Sequence, residues 1–279
     1  MKRTCWNGLG LTMCIAVMTV SAFAQSTAAA KGQPKKPMAK QAKPAAEAPK
    51  PEWFSVAMVR VKPDMVAEWE DLQKNVVNPA LKKAGVKERG IFQTAIFGES
   101  YEYVVITPIA TLSQFDEARS PLRNALGEDA WREYLAKSRR CIQSVHTYGD
   151  QSRPDLSYFG KMASMTGPPK LAVVNTISVA PGRAAAFESF LKAEILPVMK
   201  KADVLGYFVN QTVFGGDVNT YTSVLFQDSF AEIGKGNPLQ RVLGAKGLES
   251  LGLKYAGLVL RQERVILRFN PDLSFAATP

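Results

Sequence analysis

Histidine is almost missing from this chain: His146 stands alone in 279 residues. One imidazole cannot build a multi-histidine metal centre, and any serine-based triad would have to take His146 as its base. No serine sits in a nucleophile-elbow pattern, and the carboxylates show no hard-metal clustering. The stretch Gly234-Lys235-Gly236 is too short for a phosphate-binding loop. The expectation is therefore no metal and no cofactor. Cysteine is scarce as well. Cys5 and Cys14 fall in the first 24 residues, so Cys141 alone remains beyond them and no disulfide can form there. Cys141 reads as a small buried apolar residue, with a redox or nucleophilic role as the alternative. It is expected on the same strand as His146, on the opposite face.

Long apolar runs are also lacking. The longest opening run, Leu9 to Val20, falls short of the roughly 20 residues that span a bilayer. Lys2 and Arg3 precede it and Ser21-Ala22-Phe23-Ala24 follow it, which is the layout of a secretory signal peptide over 1–24. An uncleaved anchor is the runner-up, and Leu11-Thr12-Met13-Cys14 makes a poor lipobox because Met13 is large. The expected location is the periplasm or outside the cell.

Residues 25–52 hold alanine, lysine, proline and glutamine with almost no large apolar side chain. Such a segment cannot offset its ordering entropy, so it reads as an extended disordered linker. Of the formal net charge of +10, two units lie in 1–24 and four in 25–52, leaving four from Trp53 onward. The basicity is mostly outside the globular part, which argues against a nucleic-acid partner. The linker is a solubilising spacer or, by charge alone, a contact to the anionic cell envelope.

What the chain does have is a doubled phrase. Gln93-Thr94-Ala95-Ile96-Phe97-Gly98-Glu99 returns as Gln211-Thr212-Val213-Phe214-Gly215-Gly216-Asp217, 118 positions on. At the same offset Pro63 meets Pro181, Glu70 meets Glu188, Pro79 meets Pro197 and Tyr103 meets Tyr221. From Pro121 the offset is 117, and Pro154-Asp155-Leu156-Ser157-Tyr158 meets Pro271-Asp272-Leu273-Ser274-Phe275. These are two tandem repeats, 53–158 and 170–275, each too long for a solenoid unit.

Both repeats read alike. Valine-rich strands at 54–61 and 171–179 lead to Pro63 and Pro181, which open helices. Trp69, Leu72, Val76, Ala80 and Leu81, and likewise Phe187, Phe190, Leu191, Ile195, Val198 and Met199, make apolar helix faces. Glu70 with Lys74, and Glu188 with Lys192, are spaced as exposed ion pairs. Pro79 and Pro197 predict a kink. Hairpins follow at 90–107 and 207–226. Ser120-Pro121 and Asn237-Pro238 start helices that Gly127 and Gly244 interrupt, and closing strands lie at 141–148 and 258–269. The order β-α-β-β-α-β is the ferredoxin-like plan. Its sheet carries both helices on one face and needs cover on the other. The fold class is therefore α+β, with the two repeats packed sheet to sheet as one intramolecular barrel.

The segments Val59 to Gly85 and Ile177 to Asp203 each resemble the first strand and helix of dimeric α+β barrel proteins, a group that includes antibiotic-biosynthesis-type monooxygenases and NIPSNAP-like proteins. The resemblance covers about 55 to 275. It implies a range of activities, from cofactor-free oxygenases, isomerases, peroxidases and haem degradation to plain ligand binding, and so fixes no chemistry. Haem-degrading members use a helix-borne histidine with asparagine and tryptophan nearby, and no such trio is found here.

His146 remains as the sole catalytic candidate, matched in the second repeat by Glu263. Gln93 and Gln211 lie in otherwise apolar strand rows. They either bond near the seam between repeats or line a ligand cavity, to which Tyr103 and Tyr221 would add hydroxyls. The preferred reading is an exported barrel that binds a small apolar or aromatic ligand, or a protein partner, without catalysis. The alternative is a cofactor-free monooxygenase or isomerase, with His146, Gln93, Gln211, Tyr103 and Tyr221 as its actors; a third reading is that one repeat carries the chemistry and the other only completes the barrel.

Overall fold

The computed structural model describes residues 50–116, 120–162 and 167–276. The expected signal peptide, 1–24, and the expected linker up to residue 49 lie outside these residues. Eight strands are present: β1 (Trp53–Val61), β2 (Gly90–Thr94), β3 (Glu102–Ile109), β4 (Ile142–Ser152), β5 (Leu171–Val179), β6 (Tyr207–Phe214), β7 (Thr220–Gln227) and β8 (Val259–Phe269). They close into a barrel in the order β1-β3-β2-β8-β5-β7-β6-β4, and every neighbour is antiparallel. The first half thus contributes β4-β1-β3-β2 and the second β8-β5-β7-β6. Two seams, β2–β8 and β4–β6, join them edge to edge, so the sheets share hydrogen bonds as well as a covered face.

Side chains alternate across each strand. On β1, Phe54, Val56 and Met58 point into the barrel, while Val59 and Val61 join the helix-side core. Helices cover that outer face. Helix α1 runs through Val66–Asp71, Leu72–Val77 and Asn78–Lys83. Helices α2 (Pro121–Leu126) and α3 (Glu128–Cys141) follow. The second half has α4 (Ala184–Phe190, Leu191–Ile195, Leu196–Lys201), α5 (Phe230–Gly234) and α6 (Pro238–Ala256). The middle segments of α1 and α4 are π-helical, each just ahead of a proline. Pro79 and Pro197 lack an N–H and would crowd the carbonyl four back. The ladder shifts instead, with Asn78 N–H donating to Gln73 O and Leu196 N–H to Leu191 O, five back.

The two helix-side cores are built alike. Trp69 of α1 rests on Tyr103 of β3 with centroids 4.4 Å apart, and Phe187 of α4 on Tyr221 of β7 at 5.0 Å. The Tyr103 hydroxyl donates to Glu70 (2.8 Å) and the Tyr221 hydroxyl to Glu188 (2.7 Å). These acids therefore turn toward the sheet. The spacing of Glu188 with Lys192 suggests an exposed pair, but Lys192 reaches Asp155 at 2.7 Å. Ser120 Oγ and Asn237 Oδ1 cap α2 and α6, accepting from Arg123 N–H and Leu239 N–H. Gly127 and Gly244 break the helical paths at φ +79° and +69°, which glycine adopts freely.

The repeated Pro-Asp-Leu-Ser-aromatic segments cross between halves. Leu156, from the first half, is fully buried in the second half's core, and Leu273 is buried in the first half's core. Ser157 Oγ accepts from Val209 N–H (3.0 Å), and Ser274 Oγ accepts from Ile91 N–H (2.8 Å). Tyr158 bridges Tyr207 as Phe275 bridges Arg89. Each half thus lends a short arm to the other.

Three local expectations change. Pro181 lies in a turn and α4 begins only at Ala184. Cys141 is the last residue of α3 rather than part of a strand; it is wholly buried, and burial pushes its thiol pKa up. Strand β4 continues past Tyr148 to Ser152, because β1 and β6 pair with it on both sides.

Candidate functional site

The inward faces enclose a chamber of about 920 Å³, a volume suited to a small organic molecule. Its lining is uneven. Phe54, Val56, Phe92, Val104, Ile106, Val265 and Leu267 make a mostly apolar wall from β1, β2, β3 and β8, with Glu102 and Glu263 also in the lining. Across from it, β4, β6 and β7 present Tyr148, Asp150, Asn210, Thr212 and Thr222 beside Phe208, Val224 and Phe226. The asymmetry is sharpest on the closing strands. At the offset of 117, His146, Tyr148 and Asp150 of β4 match Glu263, Val265 and Leu267 of β8.

Asp150 is the chemical centre of this wall. It sits between Phe54 on β1 and Thr212 on β6 and is only 6% exposed. The Thr212 side chain hydrogen-bonds it, yet its Oδ1 has no partner. An ionised carboxylate in such surroundings is strongly disfavoured. Burial accordingly raises the Asp150 pKa above the ordinary carboxylate range, with the Thr212 bond opposing the shift. Burial also raises the Tyr148 pKa, reinforced by Asp150 and Glu102. Glu102 is raised by burial and by nearby Glu99, with Arg60 opposing.

His146 lies at the rim, exposed, with its ring 4.3 Å from that of Tyr148. Its Nε2 lies 2.8 Å from Gly215 O, so this nitrogen donates. The β6–β7 turn is pressed against β4 here. A Cβ on Gly215 would meet Thr147 O at 2.4 Å, and one on Gly216 would meet the Tyr148 ring at 3.1 Å.

The other side chains named as cavity-lining candidates face away from the chamber. Tyr103 and Tyr221 are buried under the helices and bound to Glu70 and Glu188. Gln93 accepts from Asn270 Nδ2 (3.2 Å), and Gln211 accepts from Arg153 Nη1 (3.3 Å). Both bonds join one half to the arm of the other. In the doubled Gln-Thr pair the threonine looks inward at Thr212 and the glutamine outward, so a ligand in the barrel would not touch Gln93 or Gln211. Asp150, Tyr148 and Thr212 were the residues that sequence reasoning missed. Comparing the closing strands of the repeats, polar in one and apolar in the other, would have found the first two.

A second cavity of about 450 Å³ lies between the second half's sheet and α6. Its polar groups satisfy one another: Asn175 Oδ1 accepts from Arg264 Nε (2.6 Å) and Gln262 Nε2 (3.1 Å), and the Tyr255 hydroxyl donates to Gln262 (2.7 Å). The barrel chamber is the one that keeps an unsatisfied buried acceptor. Among the described residues, no three His, Cys, Asp or Glu side chains converge as a metal site. No described helix is long and apolar enough to cross a membrane.

No protein-family description matches the sequence, and no curated protein matches it. Solved structures do. A protein provisionally named a monooxygenase from Lactobacillus acidophilus NCFM aligns at a TM-score of 0.52 and 8% identity, over 81% of this chain and 96% of its own. Another with that provisional name, from Fusobacterium nucleatum, aligns at 0.53 and 13%, over 78% and 92%. An anthrone oxidase-like protein aligns at 0.54 and 9%, over 82% and 94%. At these identities the likeness shows the fold alone: an eight-stranded barrel of the kind shared by the dimeric α+β barrel proteins.

Proposed function

We propose that this chain is an exported binding barrel that takes one small apolar or aromatic molecule into its interior. The observation that carries the reading is the chamber of about 920 Å³, lined largely by apolar side chains and bordered by Asp150, a buried carboxylate with one oxygen unpartnered. A close-packed interior leaves few voids larger than a water molecule. A chamber of this size with a polar ledge fits a ligand that buries its body against phenylalanine and valine and is oriented by Asp150 and Thr212. The barrel itself is read as a fused pseudo-dimer, made by duplication of a ferredoxin-like unit, and the basic leader as its export signal. The test is titration with the neutral dye N-phenyl-1-naphthylamine. Saturable binding by the wild type, lost in Val56→Trp and Val224→Trp, supports the chamber; no binding, or binding blind to both substitutions, sinks it.

A second reading is cofactor-free oxidation of an activated aromatic methylene. Asp150 favours it, because a carboxylate raised in an apolar chamber suits proton removal. The overall change balances as CH2 plus O2 giving C=O plus H2O, the substrate supplying the electrons. The fold neighbours with oxygenase and oxidase names are consistent with it. Oxygen uptake with anthrone, lost in Asp150→Asn and reduced in His146→Ala, would establish it; no uptake would leave the binding reading standing.

A further inference from the structure

We propose that the chamber selects organic cations: an amine-bearing aromatic or aliphatic molecule whose ammonium group lies against Asp150. The inference rests on the binding-chamber reading and specifies its ligand class.

Three observations carry it. First, the unsatisfied atom is an acceptor. Asp150 lines the chamber, and its Oδ1 is buried without a hydrogen-bond partner, so a ligand that draws the carboxylate toward it must bring a donor. Second, its strand neighbours offer no positive charge, and the one lysine in the chamber lining, Lys50, stands four residues before Phe54 in the chain. The flanking side chains are Phe54, Tyr148 and Thr212, and the charged groups acting on Tyr148 are the acids Asp150 and Glu102. Of the other carboxylates in the lining, Glu263 is bound by Arg261, Glu102 has Arg60 near it, and Asp217 accepts from Asn219 N–H; Glu52 is the fourth. A neutral donor would satisfy the geometry of Oδ1 yet leave a buried negative charge uncompensated; an ammonium supplies both. Third, Phe54 and Tyr148 place aromatic rings beside the carboxylate, and ring faces attract cations once water is excluded. The corresponding residues of the other closing strand, Val265 and Leu267, carry no charge, so this buried pole stands on one side of the chamber only. An amphiphilic amine has the same division.

The test uses three probes that share one ring: 2-(1-naphthyl)ethylammonium, 2-(1-naphthyl)ethanol and 1-naphthylacetate, titrated by calorimetry at neutral pH. The expected result is ammonium over alcohol by about tenfold or more, the effect of one charge-assisted hydrogen bond. The carboxylate should bind least. In Asp150→Asn, and in Asp150→Ser as a second variant, ammonium and alcohol should converge. A melting temperature at or above that of the wild type certifies the fold of each variant. Equal binding of alcohol and ammonium by the wild type, or a preference that survives in both variants, overturns the cation assignment while the chamber stands. Failure of all three probes to bind removes the chamber reading itself.

Discussion

Leu156 and Leu273 trade places: each is fully buried in the core of the half it does not belong to. Both come from the repeated Pro-Asp-Leu-Ser-aromatic arm. Leu156→Ala and Leu273→Ala should each cost about 2–5 kcal/mol, the range for a deleted core leucine. The diagnostic is where the loss falls. Hydrogen exchange should show Leu156→Ala loosening β5 to β7, and Leu273→Ala loosening β1 to β3. Residues 53–158 expressed alone would lack cover from both Leu273 and the opposing sheet, and should run as a dimer or aggregate on a sizing column. A compact monomer would refute the shared-core account.

Arg153 ties its arm to the second half. It is bonded by Glu188, by Asp155 at 3.0 Å and by Gln211 at 3.3 Å. Arg153→Met should destabilise by about 1–3 kcal/mol, as expected for hydrogen bonds to charged groups. Asn270, its counterpart, bears no charge, so Asn270→Ala should cost less. The pH dependence follows from the acids. Arg153 holds Asp155 down to about 2 and Glu188 below its usual range. Depressed folded-state values stabilise above the unfolded values and fade as pH falls through the folded ones. Urea midpoints of the wild type should therefore drop between about pH 4.5 and 2, and more steeply than those of Arg153→Met.

Asp150 has the opposite sign. Its folded pKa is raised by burial, so below its unfolded value it contributes nothing, and as pH rises the unfolded chain ionises first. It destabilises the empty barrel at neutral pH. Asp150→Asn should raise stability there by about 1–3 kcal/mol, the cost of a buried polar group left unpaired. The gain should shrink below about pH 4. Chemical denaturation at pH 7 and pH 3.5 measures both.

Gly215 and Gly85 share nearly the same backbone, φ +79° and +83°, in different surroundings. A Cβ at Gly85 meets nothing within 4 Å, whereas at Gly215 it strikes Thr147 O at 2.4 Å. Gly85→Ala should lose about 1 kcal/mol for conformation alone. Gly215→Ala should lose more, about 2–3 kcal/mol, and shift the His146 ring signals by NMR, since His146 bonds the Gly215 carbonyl.

Much of this architecture is written locally. The segments 171–179 and 207–214 are strands over their full length, Ser120 and Asn237 cap helices, and the β-α-β-β-α-β order holds. The site was harder to read, for two physical reasons. Gly149-Asp150 looks like a turn, since both residues favour bends. Strands on both flanks override that propensity, and Gly149 makes room for the Phe214 ring, where a Cβ would lie 3.3 Å away. The inward direction was also hidden. Both faces of each sheet are covered, one by helices and one by the barrel, so apolar alternation does not say which face is which. Gln93 and Gln211 fit either the seam or the chamber on that account; both bond across the halves, and the threonine beside Gln211 occupies the chamber.

The ring closes over only part of each seam. Strand β4 meets β6 over Gly149–Ser152 alone and β8 meets β2 over Leu267–Phe269 alone, so Ile142–Tyr148 and Val259–Val265 each keep one flank without a strand neighbour among the described residues. Each of these stretches is a β-edge that a visiting strand can extend. The outer helices and hairpin tips add exposed apolar side chains, Leu253 and Phe97 among them.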